Sequence, residues 1–513
     1  MSSLKKFFIN ASTMSLVSVF LRIVGLCFSV WLSRTIGEEG MGIYGLTSSA
    51  YRLGITFASG GISFAATRLI AEELENKNPR EALRVAEKCI FYSFVLGTLV
   101  SIFFFCFSHF LGGELLGDQR CIASIKIMAI SLPFLVMTSI INAYFTGVRS
   151  LVKPAFCMLL EQGIRVGVTM ALLRDFDGKD LEYGCLAVIV GGVFAEIFSF
   201  ILSFVFYEKD KKALDRGVHK KTKLGKRITK IALPVAVSSY IRTGLLTVEH
   251  MMIPRGLLKY GENSSRALGL YGVISGMVFP VLFFPSAFLY AISDLVVPEF
   301  SACLASGDVQ KSKKLTNKVM QLTSFFSVGV AGVLFGYSEE LGQVLYKNSD
   351  VGKYLKMLAP LVIVMFFDHL ADAILKGLDK QLSVVGFNLI DSFMSLFLVW
   401  ILVPRFGIYG YIFVVWFGEV VNCIMSTISL VNTTRVKIRV FNWFVNPIIA
   451  QITSLIVTKT TLKALHGAVG ENFFTLLVAI TITVLVYSLI MRLIGCITLH
   501  DYKLMSQVFQ KNK

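Results

Sequence analysis

The chain has 513 residues, of which 55% are hydrophobic and only 16% charged, and its mean hydropathy is +0.70. A soluble domain averages about 25% charged residues, so this composition excludes a soluble globular enzyme, and no polar block is long enough for an appended soluble domain. The net charge of +17 would suit nucleic acid, but the charges are spread along the chain in a pattern that excludes that reading.

Apolar stretches long enough to cross a hydrocarbon core of about 30 Å recur from end to end. They predict an all-α integral membrane protein with about 14 transmembrane helices, at 8–33, 43–67, 89–111, 122–146, 155–173, 183–207, 228–254, 268–297, 317–337, 354–375, 383–403, 407–431, 442–464 and 472–494. The first stretch is not a cleavable signal, because Arg22 interrupts its apolar core and no small-residue cleavage site precedes Arg34. With both termini cytoplasmic, and edge residues counted with the adjoining loop, the inside segments hold 32 of the 50 Lys and Arg, the outside segments 12, and six lie within spans. That asymmetry follows the positive-inside rule. The largest basic block, Lys209 to Lys230, anchors the topology against anionic headgroups.

The chain is also duplicated. Val19-Phe20-Leu21-Arg22 leads to Gly42-Ile43-Tyr44-Gly45, and Ser239-Tyr240-Ile241-Arg242 leads to Gly269-Leu270-Tyr271-Gly272. An offset of 227 aligns Tyr44 with Tyr271, Glu72 with Glu299 and Pro133 with Pro360, and an offset of 230 aligns Gly147 with Gly377 and Glu161 with Asp391. Glu196 and Glu419 fall within a helical turn of equivalence. The expected organisation is a six-helix lobe at 1–207, a basic cytoplasmic linker at 208–227, a second six-helix lobe at 228–431, and two additional helices with a cytoplasmic tail at 432–513. Repeats of equal topology are related by an axis along the membrane normal, as in two-lobed alternating-access carriers. Pro280 and Pro285 predict a kink in the eighth span.

An arginine inside hydrocarbon costs roughly 2.5–3.5 kcal/mol, so one at matched positions of two repeats points to use of the charge. Arg22 lies about 15–21 Å from the inner edge, Arg242 about 21 Å in, and Arg52 roughly 13 Å from the outer edge, which brings all three to a similar depth. Guanidinium groups bind phosphate through paired hydrogen bonds, so the three are expected to ring a phosphate or pyrophosphate; the alternative is neutralisation by acids on neighbouring helices. Glu161 and Arg165 form an i,i+4 pair, and Asp391, Glu196 and Glu419 are acids suited to a coupling Na+ or H+. Asp368, His369, Asp372, Glu249 and His250 read as solvated helix ends, and Lys126 and Lys356 as snorkelling side chains.

Nine scattered cysteines form no CxxC and have no His at ligand spacing, so no metal or other cofactor is expected. There is no P-loop and hence no ATP hydrolysis, and neither HExxH nor GxSxG occurs. A transporter rather than an enzyme is expected; a membrane acyltransferase or glycosyltransferase is the alternative from another class.

The stretches Leu16 to Gly25, Gly37 to Leu46 and Leu159 to Arg165 resemble the polysaccharide-exporter branch of the multidrug/oligosaccharidyl-lipid/polysaccharide (MOP) flippase superfamily. Within that branch they are similar to the stage V sporulation protein B type, related to lipid II flippases. The resemblance implies a V-shaped bundle like that of the multidrug MATE carriers, in the bacterial cytoplasmic membrane. It also implies an undecaprenyl-pyrophosphate-linked saccharide as cargo, a peptidoglycan precursor such as lipid II, moved from inner to outer leaflet. Membrane lipids and cell-wall synthesis enzymes are the implied partners. The family's pyrophosphate-binding role falls on Arg22 and Arg52, and the extra C-terminal helices imply a lipid-tail groove. Cation-coupled drug-efflux carriers of the same superfamily are the alternative.

Overall fold

The computed structural model describes residues 3–76, 78–176, 178, 180–214, 224–437, 440–464 and 473–494. The middle of the basic linker, the tail after residue 494, and His219, His466 and His500 lie outside the described residues.

All described secondary structure is helical. The first part of the chain forms α1 (Ser3–Ser59), α2 (Ile62–Glu75), α3 (Pro79–Cys106), a π-helical turn (Phe110–Leu115), α4 (Cys121–Gly147), α5 (Val152–Leu172), α6 (Leu181–Leu214), α7 (Leu224–Tyr260) and α8 (Ser264–Gly272). After a π-helical turn (Val273–Val278) come α9 (Phe279–Phe283), α10 (Ser286–Ser306), α11 (Val309–Gly336) and α12 (Ser338–Leu341). A third π-helical turn (Gly342–Tyr346) precedes α13 (Ser349–Leu358), α14 (Leu361–Gly377) and α15 (Gln381–Thr434). A fourth (Phe441–Val445) opens α16 (Asn446–Ala464), which is followed by α17 (Phe473–Leu493). Helices are the outcome that hydrocarbon dictates, because each backbone N–H and C=O must find its partner within the segment. The faces sort accordingly. Phe91, Leu99, Ile102 and Phe103 are exposed, while Ser93, Ser124, Ser199 and Ser324 are buried, since small polar residues let helices approach closely in lipid.

Among the described residues, 12 helices are long and apolar enough to cross a membrane, or up to 13 with the bent pair α13–α14. The expectation of about 14 differs in how segments are divided. At 57 residues, α1 would be about 86 Å long if straight, nearly three bilayer cores. It is instead broken at Gly37, where φ is 71°, a left-handed conformation that glycine adopts without penalty. The 54-residue α15 is broken the same way at Gly407, with φ 60°. Each of these helices thus carries two expected spans, whereas the expected span 268–297 is shared by the separate stretches Ser264–Phe283 and Ser286–Ser306. The kink expected from Pro280 and Pro285 appears as the interruption at Phe284–Pro285.

The fold divides into two compact units, Met1–Gly272 and Val273–Lys513. In unit 1, Ala65, Leu69, Ala86, Cys89, Ile140, Tyr144, Tyr207 and Ile228 form a core that ties α2, α3, α4, α6 and α7 together. The two copies of the duplicated turn meet inside this unit. A Cβ on Gly42 would stand 2.2 Å from the Leu268 carbonyl oxygen, and one on Gly272 2.1 Å from that of Glu38. Both positions therefore require glycine for backbone-to-backbone contact. The turn is fastened by Arg120, which pairs with Glu39 and Asp118 at 2.7 Å each, by Ser265 bonding Glu39, and by Arg266 at 3.5 Å from Glu38. The hydrogen bond to Asp118, reinforced by Glu39, raises the already high pKa of Arg120 further. In unit 2, α16 and α17 pack on α11. The Tyr487 ring stacks on Phe325 at 5.0 Å and its hydroxyl donates to the Phe325 carbonyl at 2.9 Å.

Candidate functional site

Unit 1 carries all three arginines singled out in the sequence. Arg22 and Arg52 each stand fifteen positions from the Gly37 break, one on either limb of α1. Both are therefore about 22 Å of helix from that break. Arg242 is placed by the way the second limb, residues 38–59, runs antiparallel to α7. Thr247 Oγ1 donates to the Ser49 carbonyl at 3.5 Å, Thr56 Oγ1 to Thr243 Oγ1 at 3.3 Å, and the Tyr240 hydroxyl to the Phe57 carbonyl at 3.1 Å. In that register Arg52 lies opposite residues near 245, so Arg52 and Arg242 differ in level by about one helical turn, roughly 5 Å. Both side chains are exposed and Arg22 is half-buried. Among the described residues, no acid forms a salt bridge with Arg52 or Arg242. On α7, His250 Nδ1 is 3.1 Å from the Tyr271 hydroxyl. His250 is thus tied into the helix packing and is not a solvated end.

A second polar group in unit 1 lies on the opposite side of the same limb. Arg165 pairs with Glu161 at 3.2 Å, the intrahelical partner expected, and also with Glu196 of α6 at 3.6 Å. Glu196 is buried, at 7% exposure. It accepts a hydrogen bond from the Tyr51 hydroxyl, which also lies 2.6 Å from Ser131 Oγ of α4. One arginine thus serves two carboxylates, and a tyrosine closes the network. Tyr51 and Ser131 had no signal in the sequence beyond being polar residues in apolar helices.

Unit 2 holds the rest. Asp368 and Asp372 are each 7% exposed, and burial corrects their reading as solvated helix ends. One turn apart on α14, they face α15, where Asn422 Nδ2 donates to Asp368 at 2.9 Å and Ser426 Oγ to Asp372 at 3.0 Å. Asn388 Nδ2 lies 3.4 Å from the second Asp372 oxygen. Asp368 Oδ1 and Asn422 Oδ1 are buried without a hydrogen-bond partner among the described residues. His369 sits edge-on to Tyr290 at 4.5 Å. Asp391 is half-buried and packed so that a Cβ on Gly418 would come within 2.6 Å of its Oδ1. Its Oδ1 is 3.5 Å from Ser395 Oγ. Glu419 is half-buried on the adjoining turn. Lys356 pairs with Glu339 at 2.8 Å. Among the described residues, no group of three or more His, Cys, Asp or Glu could hold a metal ion.

An all-helical membrane bundle of this build is the fold of transporters of the MOP superfamily. It superposes on lipid II flippase MurJ in an inward closed conformation with a TM-score of 0.67, at 15% identity, covering 94% of this chain and 98% of that one. On an inward-facing multidrug resistance MATE transporter of the MOP superfamily the score is 0.66, at 13% identity, covering 83% and 100%. Residues 7–302 match the family of polysaccharide biosynthesis proteins, and the chain belongs to that family. Among its relatives are stage V sporulation protein B of Bacillus subtilis (strain 168), 24% identical over 82% of both chains, and sporulation protein YkvU of the same organism, 20% identical over 76% of this chain and 86% of that one.

Proposed function

We propose that this protein is a flippase that carries a pyrophosphate-linked saccharide on an undecaprenyl tail, a peptidoglycan precursor such as lipid II, from the inner to the outer leaflet of the bacterial cytoplasmic membrane. The observation that carries the reading is the pair Arg52 and Arg242, exposed on two packed helices at nearly one level. Two like charges at one depth of a low-dielectric layer repel each other, and an anion between them converts that repulsion into attraction. Each guanidinium has five donors in a planar fork suited to phosphate oxygens. Arg22, at an equal distance from the Gly37 break, completes the set. The relatives support the cargo: one is a sporulation protein, and one shared fold belongs to a lipid II flippase.

The cycle is alternating access, with lobes 1–207 and 228–431 rocking against one another while the isoprenoid tail stays in lipid. Return of the site needs a bias. The membrane potential offers about 2.3 kcal/mol per charge per 100 mV. A coupling Na+ or H+ would suit the Asp368 carboxylate of unit 2, whose Oδ1 is buried and has no hydrogen-bond partner among the described residues. Glu161 and Glu196 already share Arg165.

The test is the leaflet-sidedness of labelled lipid II in vesicles with and without the protein. Arg52→Gln and Arg242→Gln should each slow translocation about 10- to 100-fold, the worth of a charge-assisted contact, with insertion and yield unchanged. Normal transport by both variants rejects the anion site.

A further inference from the structure

The limb of α1 that carries Arg52 is isolated from its neighbours along the chain. Gly37, with φ 71°, breaks the helix before it, and Gly60 and Gly61, with φ 49° and 68°, break it after. Neither adjoining helix can therefore impose a rotation on residues 38–59 through continuous backbone hydrogen bonding, and the azimuth must come from side contacts. On the α7 side those contacts are the hydroxyl bonds of Thr243, Thr247 and Tyr240, two of which end on backbone carbonyls of the limb. On the other side the first turn of the limb is held at Glu38 and Glu39 by Arg266 and Arg120, Gly54 packs on Phe104, and the polar contact beside Arg52 is the Tyr51 hydroxyl, held by Glu196 and Ser131. Glu196 is in turn held by Arg165.

Tyr51 immediately precedes Arg52, and successive residues of an α-helix point about 100° apart. With a side-chain radius of about 6 Å, a 20° rotation of the limb would displace the Arg52 head by about 2 Å, more than a paired hydrogen bond tolerates. A tyrosine is well suited to this task, since its ring is rigid and its hydroxyl bonds at a fixed distance from the backbone.

We propose that Tyr51 is the positioning residue for Arg52: anchored through Glu196 to Arg165 and through Ser131 to α4, it sets the rotation of the 38–59 limb and so the placement of the guanidinium at the anion site. This rests on the reading of Arg52 as a pyrophosphate ligand.

The experiment is a double-mutant cycle on the purified full chain, with inorganic pyrophosphate as the probe, binding measured by titration calorimetry and unfolding followed in parallel. Tyr51→Phe removes one hydroxyl and should weaken binding about tenfold, in line with the cost of ångström-scale misplacement. Arg52→Gln should weaken binding at least as much, and the double variant should bind like Arg52→Gln alone, because a mispositioned group no longer matters once it is gone. Ser131→Ala, which leaves the Glu196 bond in place, should lose about threefold in the same non-additive way and serves where Tyr51→Phe folds poorly. Additive losses in the double variants, or full affinity in Tyr51→Phe beside a weakened Arg52→Gln, would overturn the positioning role alone. Full affinity in Arg52→Gln would overturn the pyrophosphate reading, and the positioning role with it.

Discussion

In unit 1 the buried carboxylate of Glu196 stands 3.6 Å from Arg165 and accepts a bond from Tyr51, whereas in unit 2 the equally buried Asp368 is bonded by the Asn422 amide at 2.9 Å and makes no salt bridge among the described residues. The first arrangement carries its own cation, fixed covalently in the next helix. The second surrounds a carboxylate with neutral donors, which stabilise it less than a guanidinium does. Two halves of a duplicated chain thus hold acid groups in apolar helices in different ways: one pairs its carboxylate with a cation of its own, the other with neutral donors, and in the proposed cycle the second is the group whose charge changes.

The comparison breaks most visibly at Arg165. Replacing it by Gln strands Glu196 without a cation in a dry environment, and removal of one member of a buried pair costs about 3–5 kcal/mol. Yield and thermal stability in detergent should fall sharply, and the double variant Arg165→Gln/Glu196→Gln should recover most of the loss. A single variant as stable as the parent would mean that Glu196 is not held as an ion and that the two units are alike.

Packing sharpens the contrast next. A Cβ on Gly418 would meet Asp391 Oδ1 at 2.6 Å and Ser395 Oγ at 2.9 Å, so Gly418→Ala should destabilise by about 1–3 kcal/mol, as overpacking does. If denaturation in detergent shows no change, Asp391 is free to move aside and its position is soft.

Asp368→Asn should do little to stability, within about 1.5 kcal/mol, because the amide oxygen can still accept from Asn422 and the change is nearly isosteric. Translocation, however, should lose its dependence on sodium or on pH, whichever the parent shows. Transport that keeps that dependence in Asp368→Asn removes the exchangeable charge from unit 2, and with it the functional half of the comparison.

The sequence made part of this legible and concealed the rest for physical reasons. A charge in an apolar run is visible because its cost is high wherever the helix packs, so Arg22, Arg52, Arg242, Arg165 and Glu196 all stood out. The turn glycines showed as a repeated motif, and a further copy, Gly407-Ile408-Tyr409-Gly410, marks the break in α15. The burial of Asp368 and Asp372 was hidden because it depends on Asn422 and Ser426, both 54 positions away. Neutral polar residues raise little alarm in a hydropathy profile. The hint available was that Asn388, Asn422 and Ser426 are themselves polar groups in otherwise apolar helices. Tyr51 was hidden for a similar reason: its hydroxyl is cheap to place, and only the geometry of α4 and α6 gives it a partner.

The smallest predicted effect tests whether these differences belong to the polar clusters alone. Gly163 lies between Glu161 and Arg165 on α5, and Gly386 lies two residues before Asn388 on α15. A Cβ at either position meets nothing within 4 Å. Residues two apart on a helix do not share a face, so alanine at these sites leaves the neighbouring polar groups where they are. Each substitution should stabilise by about 0.5–1 kcal/mol, the helix-interior gain of alanine over glycine, with translocation unaltered. The reading is a matched pair of unfolding midpoints. A loss of transport confined to Gly386→Ala would mean that α15 bends there during the cycle, since only a helix that must deform needs its glycine. An equal loss in Gly163→Ala would extend that demand to unit 1, where the acid network is paired with its own cation.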